Sequence, residues 1–138
     1  MWADDDLKGL CEALRKETGG LLTWAWDDQF LCALAPFSVN EKDEILGILD
    51  RLMDAKWDSS NIDEAPHMVT QLAQGLGGLR LGQFLFTTHA SKGVFIFGAW
   101  WPWGNGQTIS LRAGPYSNEL SESESDDLMT SFKACFGL

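Results

Sequence analysis

The segment GVFIFGAWW, residues 93–101, is apolar at almost every position. Successive side chains of a β-strand point to opposite faces of its sheet, so this strand presents apolar side chains on both faces. We therefore predict that it is a central strand or is covered on both sides. If only one face meets a layer of helices, part of the other face is left for a second covering element or for another molecule.

The chain has 138 residues, the length of one domain, and hydrophobic residues make up 45% of it. A chain of this size can bury a core without metal or disulfide cross-links. Its three cysteines, Cys11, Cys32 and Cys135, are odd in number and widely spaced, which favours buried reduced thiols over a disulfide framework or a zinc site. We predict a single domain, residues 1–138, without a cofactor.

The formal net charge is -10, from 20 acidic and 10 basic residues. An acidic chain is a poor match for nucleic acid or for an anionic membrane surface. The N-terminal MWADDDLKGL is unlike a signal peptide, and the longest apolar run, residues 94–103, is too short to span a bilayer. We predict a cytoplasmic protein without nucleic-acid or membrane partners. The acidity is explained either by solubility or by electrostatic steering toward a basic protein partner.

Apolar residues recur with helical spacing in four stretches of the chain. Two of these stretches begin with the S-x-x-E form of a capping box, at Ser38 and at Ser121. Glycine pairs end the first and third stretches. The four predicted helices span residues 4–18, 38–57, 66–76 and 121–136.

Five further segments have the composition of strands: 21–26, 30–35, 79–89, 93–101 and 107–113. Asp27-Asp28-Gln29 joins the first two as a hairpin, and the last three form a meander. In QTISLRA (107–113) the polar residues alternate cleanly with Ile109 and Leu111, which predicts one wet face. The order α-β-β-α-α-β-β-β-α predicts an α+β domain with an about five-stranded, mainly antiparallel sheet and three to four helices.

This order of elements resembles that of the roadblock-like family of small dimerising scaffolds, which have one helix, two strands, a helix, three strands and a helix. The resemblance covers most of the chain, and the stretch 39–57 is an extra helix relative to the family. It implies a sheet with helices on one face, together with dimerisation and partner binding.

No motif in the sequence indicates catalysis. His67 and His89 lie near element ends, outside any triad or metal-binding motif. The glycine-rich GLGGLRLG (75–82) follows a helix and opens a strand, which is the reverse of a dinucleotide-binding loop. The acidic residues lie mostly in turns and at helix starts, where solvation and capping account for them. We therefore predict no catalytic and no metal-binding residues.

The stretch FGAWWPWGNG (97–106) contains the most distinctive residues of the chain. Strand alternation places Trp100 and Trp101 on opposite faces, Pro102 ends the pairing, and Trp103 enters a hairpin turn formed by Asn105-Gly106. Two interpretations remain open: core and loop packing, or an aromatic anchor for a protein interface. The predicted partner-binding residues are Trp100, Trp101, Trp103, Asn105, Asp27, Asp28 and Asp58.

Three functional hypotheses follow. The first is a non-catalytic acidic module that binds a basic protein, as small bacterial immunity proteins and secretion chaperones do. The second is a homodimeric roadblock-like scaffold that uses the strand 93–101 as its dimer edge or face. The third is a small hydrolase or carbohydrate-binding domain with tryptophans and carboxylates in a cleft.

Overall fold

The computed structural model describes residues 5–138, so Asp4, which opens the first predicted helix, lies outside the described part. The helices are α1 (Asp5–Thr18), α2 (Lys42–Leu52), α3 (His67–Gly75) and α4 (Glu122–Cys135). The strands are β1 (Ala25–Asp27), β2 (Cys32–Ser38), β3 (Ala55–Trp57), β4 (Phe84–Thr87), β5 (Phe95–Pro102) and β6 (Thr108–Tyr116). The predicted α+β class is confirmed. None of these helices combines the length and the hydropathy that a membrane crossing requires.

The strands form one antiparallel sheet in the order β1-β2-β6-β5-β4-β3. The apolar segment that dominates the sequence is β5, which lies between β6 and β4 and is therefore central, as predicted. Helices α1, α2 and α4 pack on one face, here called the three-helix face, where they meet Ile96 and Trp100 of β5. Helix α3 packs on the other face, the α3 face, against Phe95 and Phe97. Helical layers thus lie on both sides of β5.

The cover on the α3 face is only partial. With nine residues, α3 is about 13 Å long. It buries Leu85 of β4 together with the first half of β5. At the far side of this face, Leu34 is half-buried and Pro36 is exposed, both on β2. The α3 face therefore has a covered half and an open half.

The sheet has six strands rather than about five, because the second predicted helix ends early. Helix α2 stops at Leu52, and Ala55–Trp57 forms the edge strand β3. Pairing with β4 explains the change: the Asp54 N–H donates to the carbonyl of Thr87 at 3.0 Å, and the Trp57 indole N–H donates to the Thr87 hydroxyl at 3.0 Å. These contacts are distant in sequence, so the helical spacing that continues through Leu52 gives no sign of them.

Two predicted strands are shorter than expected. The segment 21–24 is not a strand, because the N–H groups of Leu21 and Leu22 donate to the Thr18 carbonyl at 2.9 and 2.8 Å and extend the end of α1. The segment 79–83 is a turn, in which Gly82 has a φ of +86° and the Gln83 N–H donates to the Arg80 carbonyl. A positive φ interrupts a strand, so β4 begins only after this turn.

Two other strands are longer than expected. Strand β2 continues through Pro36 to Ser38, and β6 continues to Tyr116. Proline is accepted inside β2 because the paired register with β1 extends only to Leu34, so Pro36 occupies a stretch of local edge. The consequence is that three strands, β2, β6 and β5, run side by side beneath the open half of the α3 face.

Gly114 of β6 gives a test of the packing on the covered half. A Cβ atom at this position would lie 3.1 Å from Phe97 Cε1 and 3.3 Å from Cys32 Cβ. Gly114→Ala should therefore lower the free energy of unfolding by about 1–3 kcal/mol through overpacking. Gly47→Ala in α2 is the matched control, because its Cβ meets nothing within 4 Å. The control should raise stability by about 0.5–1 kcal/mol through helix propensity. Urea unfolding followed by circular dichroism measures both, and equal midpoints for the two variants would contradict the packing described here.

Candidate functional site

The three clustered tryptophans occupy three different environments. Trp100 is on the three-helix face, is only 3% exposed, and packs edge-to-face on Phe37 with ring centroids 5.3 Å apart. Trp101 is half-buried on the α3 face, and Trp103 is 49% exposed. The predicted opposition of Trp100 and Trp101 is confirmed. Trp100, which is among the predicted partner-binding residues, is packed in the core, and only a small part of its side chain reaches the surface.

Trp103 is held against the α3 face although half of it is exposed. Its indole N–H donates to the Ser110 hydroxyl at 2.6 Å, and its backbone N–H donates to the Thr108 carbonyl at 2.8 Å. Ser110 pairs with Trp101 across β5 and β6, and directly paired residues share a face. The alternation along residues 107–113 predicts a wet face for Ser110, but the Trp103 indole that is hydrogen-bonded to it helps to bury this side chain. The Trp103 ring is therefore exposed but fixed.

Asn105 builds the hairpin that carries Trp103. Its side-chain oxygen accepts from the N–H groups of Gln107 and Thr108 at 2.9 and 3.0 Å, and Gly106 adopts a φ of +70°. The predicted Asn-Gly turn is thus present, with the positive φ at the glycine. The oxygen of the Asn105 side chain is engaged inside the turn, so this residue supports the tryptophan from within the hairpin.

The open half of the α3 face forms a continuous row across three strands. Pro36 of β2 pairs with Ser110 of β6, which pairs with Trp101 of β5. The Trp103 indole is hydrogen-bonded to Ser110, the middle residue of this row. Leu34 pairs with Arg112, two residues further along both strands, and lies on the same face. We call Leu34, Pro36, Trp101 and Trp103 the open surface. A fixed, partly exposed apolar patch of this kind is typical of an interaction site.

Arg112 and Asp27 border the open surface as an ion pair. The Arg112 guanidinium donates to the Asp27 carboxylate and lies 4.9 Å from the centroid of the Phe30 ring. Partial burial opposes ionisation of Asp27, but hydrogen bonds from the Gln29 N–H and from Arg112 hold its pKa below the usual range. The ionised carboxylate of Asp27 is therefore paired within the chain and is not available to a partner. Its neighbour Asp28 is exposed.

Beyond Phe30 the surface continues into a cleft of about 340 Å³. The cleft lies between α3, the β1–β2 turn, the end of β6 and α4, and within residues 5–138 no cationic side chain lines it. Leu31 lines its wall, 51% exposed and with a φ of +52°, a strained conformation for a bulky residue. Its other lining residues include Gln71, Leu76, Tyr116, Ser125 and Met129.

The α4 wall of this cleft has acidic neighbours. Ser125 and Met129 line the cleft, and Glu122 and Asp126 lie at i−3 from them on the same helix. Residues at this spacing share a face of a helix. The cleft is thus lined mainly by apolar residues with amide and hydroxyl groups among them, and Glu122 and Asp126 lie one helical turn before two of its α4 residues.

Asp58 does not join this site. It follows β3, at the edge of the sheet opposite β1 and Asp27. Its carboxylate accepts from the Ser60 hydroxyl at 2.6 Å and from the N–H groups of Ser60 and Asn61 at 2.9 and 3.2 Å. These bonds, led by the two from Ser60, lower the pKa of Asp58. The structure explains this residue by a local turn.

Sequence reasoning missed several residues of the site. The sequence predicts Leu34 within a strand and Pro36 at its end, and nothing in it shows that β2 pairs with β6. The cleft joins four separate elements, so no local pattern reveals it. The apolar content of both faces of FLCALA (30–35) is the one signal that points to an open apolar side chain at Leu34.

The histidines lie on separate elements: His67 begins α3 and His89 follows β4. Residues 5–138 contain no group of three or more His, Cys, Asp or Glu side chains that could hold a metal ion. Comparisons of the chain with protein-family models, curated proteins and solved structures gave no match.

Proposed function

We propose that this chain is a non-catalytic module that binds a basic protein partner through the open surface and the adjoining cleft. The observation that carries the proposal is Trp103: half of a large aromatic side chain is exposed, yet its indole N–H is bonded to Ser110. An aromatic ring that is already ordered loses little side-chain entropy on binding, and it buries a large area in the complex. Trp103 thus has the properties of a binding hot spot.

Charge supports a basic partner. The chain carries a net charge of -10, two acidic residues lie one helical turn before the α4 residues of the cleft, and none of the described residues that line the cleft is cationic. The Arg112 guanidinium, which borders the open surface, is paired with Asp27. A partner segment with apolar side chains flanked by lysine or arginine complements both parts of the surface. Long-range attraction would raise its association rate.

The roadblock-like homodimer makes a different use of the sheet. Strand β5 is paired on both sides, by β6 and by β4, so it has no free edge for a second copy. A symmetric dimer built on β5 would have to use its face, and the open surface is the part of the α3 face that α3 leaves uncovered. Light scattering of the purified protein separates the two ideas, because our proposal expects a monomer whose open surface stays accessible.

Trp103→Ala tests the proposal directly. We expect partner binding to weaken by about 30-fold or more, equivalent to the loss of a hot spot worth about 2 kcal/mol. The measurement is quantitative capture by the tagged full chain from its native host. Titration with the captured protein then follows, at low and high salt. Association should slow as salt rises, because the attraction is screened.

Leu138→Ala is the matched control, since Leu138 is 38% exposed and follows α4, which packs on the three-helix face. The control also removes an exposed apolar side chain, but away from the open surface, and it should bind like the unmodified chain. A folded Trp103 variant that binds equally well would refute the proposed surface. An association rate that does not change between low and high salt would refute the proposed charge complementarity.

A further inference from the structure

Cys11 and Cys135 face each other across the contact between α1 and α4. Cys11 is fully buried in the three-helix core, and Cys135 is half-buried at the edge of the same core. Arg15, one turn after Cys11, donates from Nη1 to the Cys135 carbonyl at 3.1 Å. Residues i and i+4 share a helix face, so Cys11 and Arg15 both face the last turn of α4. Each thiol shifts the pKa of the other, upward for Cys11 and downward for Cys135, so the two side chains are neighbours.

Cys135 is also reachable from solvent. It lines an open cleft of about 400 Å³ together with Glu12, Arg15, Lys16 and Gly19. The hydrogen bond from Cys11 lowers the pKa of Cys135; partial burial and Glu12 oppose this, and Arg15 and Lys8 favour the thiolate. The same bond, reinforced by burial, raises the pKa of Cys11. An accessible thiolate beside a buried thiol is the arrangement of a reactive cysteine with a resolving partner.

Cys32 provides an internal contrast. It lies on the α3 face, on the other side of the sheet from Cys11, and is fully buried. Burial raises its pKa to about 11, with Arg112 opposing that rise. At mildly alkaline pH very little of this thiol is ionised, so it should react at least about 100-fold more slowly than Cys135.

We propose that Cys11 and Cys135 form a reversible disulfide by exchange with a low-molecular-weight disulfide of the glutathione type. The Cys135 thiolate attacks one sulfur of the oxidised glutathione, forms a mixed disulfide and releases one glutathione thiolate. The mixed disulfide removes the hydrogen bond to Cys135 that is the main cause of the raised pKa of Cys11. Cys11 then loses its proton to solvent, its thiolate attacks Cys135 Sγ, and the second glutathione leaves as a thiolate. Two protein thiols are oxidised to one disulfide, and one glutathione disulfide is reduced to two thiols.

The positions of the two sulfurs suit this order of events. The glutathione group attached to Cys135 extends into the open cleft, while Cys11 approaches from the core side. The product links α1 to the last turn of α4, near opposite ends of the chain, so the oxidised protein should unfold at a higher temperature than the reduced protein.

The experiment treats the folded full-length chain with oxidised glutathione, blocks free thiols by alkylation under denaturing conditions, and determines intact mass and peptide linkage. We expect loss of two hydrogen atoms, a Cys11–Cys135 linked peptide, and alkylation at Cys32 alone. Reduction with dithiothreitol should restore three alkylated cysteines. A stable glutathione adduct on Cys135 without the internal bond, or no reaction, would overturn the proposal.

Single substitutions identify the role of each cysteine in the exchange. Cys11→Ala should stop at the mixed disulfide on Cys135, whereas Cys135→Ser should lose reactivity in the native state by at least about 100-fold. Cys32→Ala is the matched control and should form the internal disulfide at the rate of the unmodified chain. Circular dichroism confirms that each variant is folded. Equal reactivity of the Cys135→Ser and Cys32→Ala variants would refute the assignment, even if one of the buried substitutions lowers stability.

Discussion

Replacing Trp100 by alanine should lower the free energy of unfolding by about 3–5 kcal/mol and the melting temperature by roughly 10–20 °C. Its indole ring is almost fully buried on the three-helix face, in edge contact with Phe37. Its neighbours across the sheet are Phe84 of β4 and Leu111 of β6. These strands cannot close over the lost volume without breaking their pairing, so a cavity remains. Thermal unfolding followed by far-ultraviolet circular dichroism measures the loss.

Trp103→Ala is the natural comparison, because the same side chain is removed three positions further along the chain. Half of Trp103 is already in water, and its specific link to the fold is the hydrogen bond to Ser110. We expect a cost of no more than about 1.5 kcal/mol. If the two variants melted at the same temperature, the assignment of Trp100 to the core and of Trp103 to the surface would be wrong.

The features predicted best from the sequence are those fixed by neighbours in the chain. Alternation along β5 places Trp100 and Trp101 on opposite faces because the pleat of a strand leaves no other choice. The capping box of α4 is present with both of its bonds, Glu124 N–H to Ser121 Oγ at 3.2 Å and Ser121 N–H to Glu124 Oε1 at 3.0 Å. Each of these contacts spans at most three residues.

The features missed depend on residues far apart in the chain. Strand β3 exists because Thr87 accepts the indole N–H of Trp57, thirty positions away. Asp27 loses its availability to a partner because Arg112 pairs with it. Neither effect has a local signature, because both arise only after the sheet order β1-β2-β6-β5-β4-β3 is set.

In the candidate site, too, some features are fixed by neighbouring residues and others by contacts between distant residues. The sequence places Trp101 and Trp103 in the correct strand and hairpin, because alternation and turn chemistry are local. It cannot say which face carries three helices and which carries one. Burial of Trp100 and partial exposure of Trp101 follow from that difference in cover alone.

Phe132→Ala should produce a loss similar to that of Trp100→Ala, about 3–5 kcal/mol, with a different structural consequence. Phe132 is fully buried, stacks on Phe136 at a centroid distance of 4.8 Å and meets Trp26 at 6.5 Å. Phe136 in turn packs edge-to-face on Trp24 at 5.1 Å. These aromatic contacts pack α4 against β1 and against the segment between α1 and β1.

Because the lost contacts belong to the attachment of α4, part of the cost should appear as local opening of this helix. Cys11, fully buried beneath α4, then becomes open to alkylation, and its labelling rate in native buffer should rise by up to about 100-fold. Met129→Ala is the control on the same helix. Met129 is half-buried, so its loss should cost about 1 kcal/mol and leave Cys11 protected. A Phe132 variant that melts early but keeps Cys11 protected would show that α4 does not open separately from the rest of the fold. In that case the aromatic group stabilises the whole domain rather than one helix.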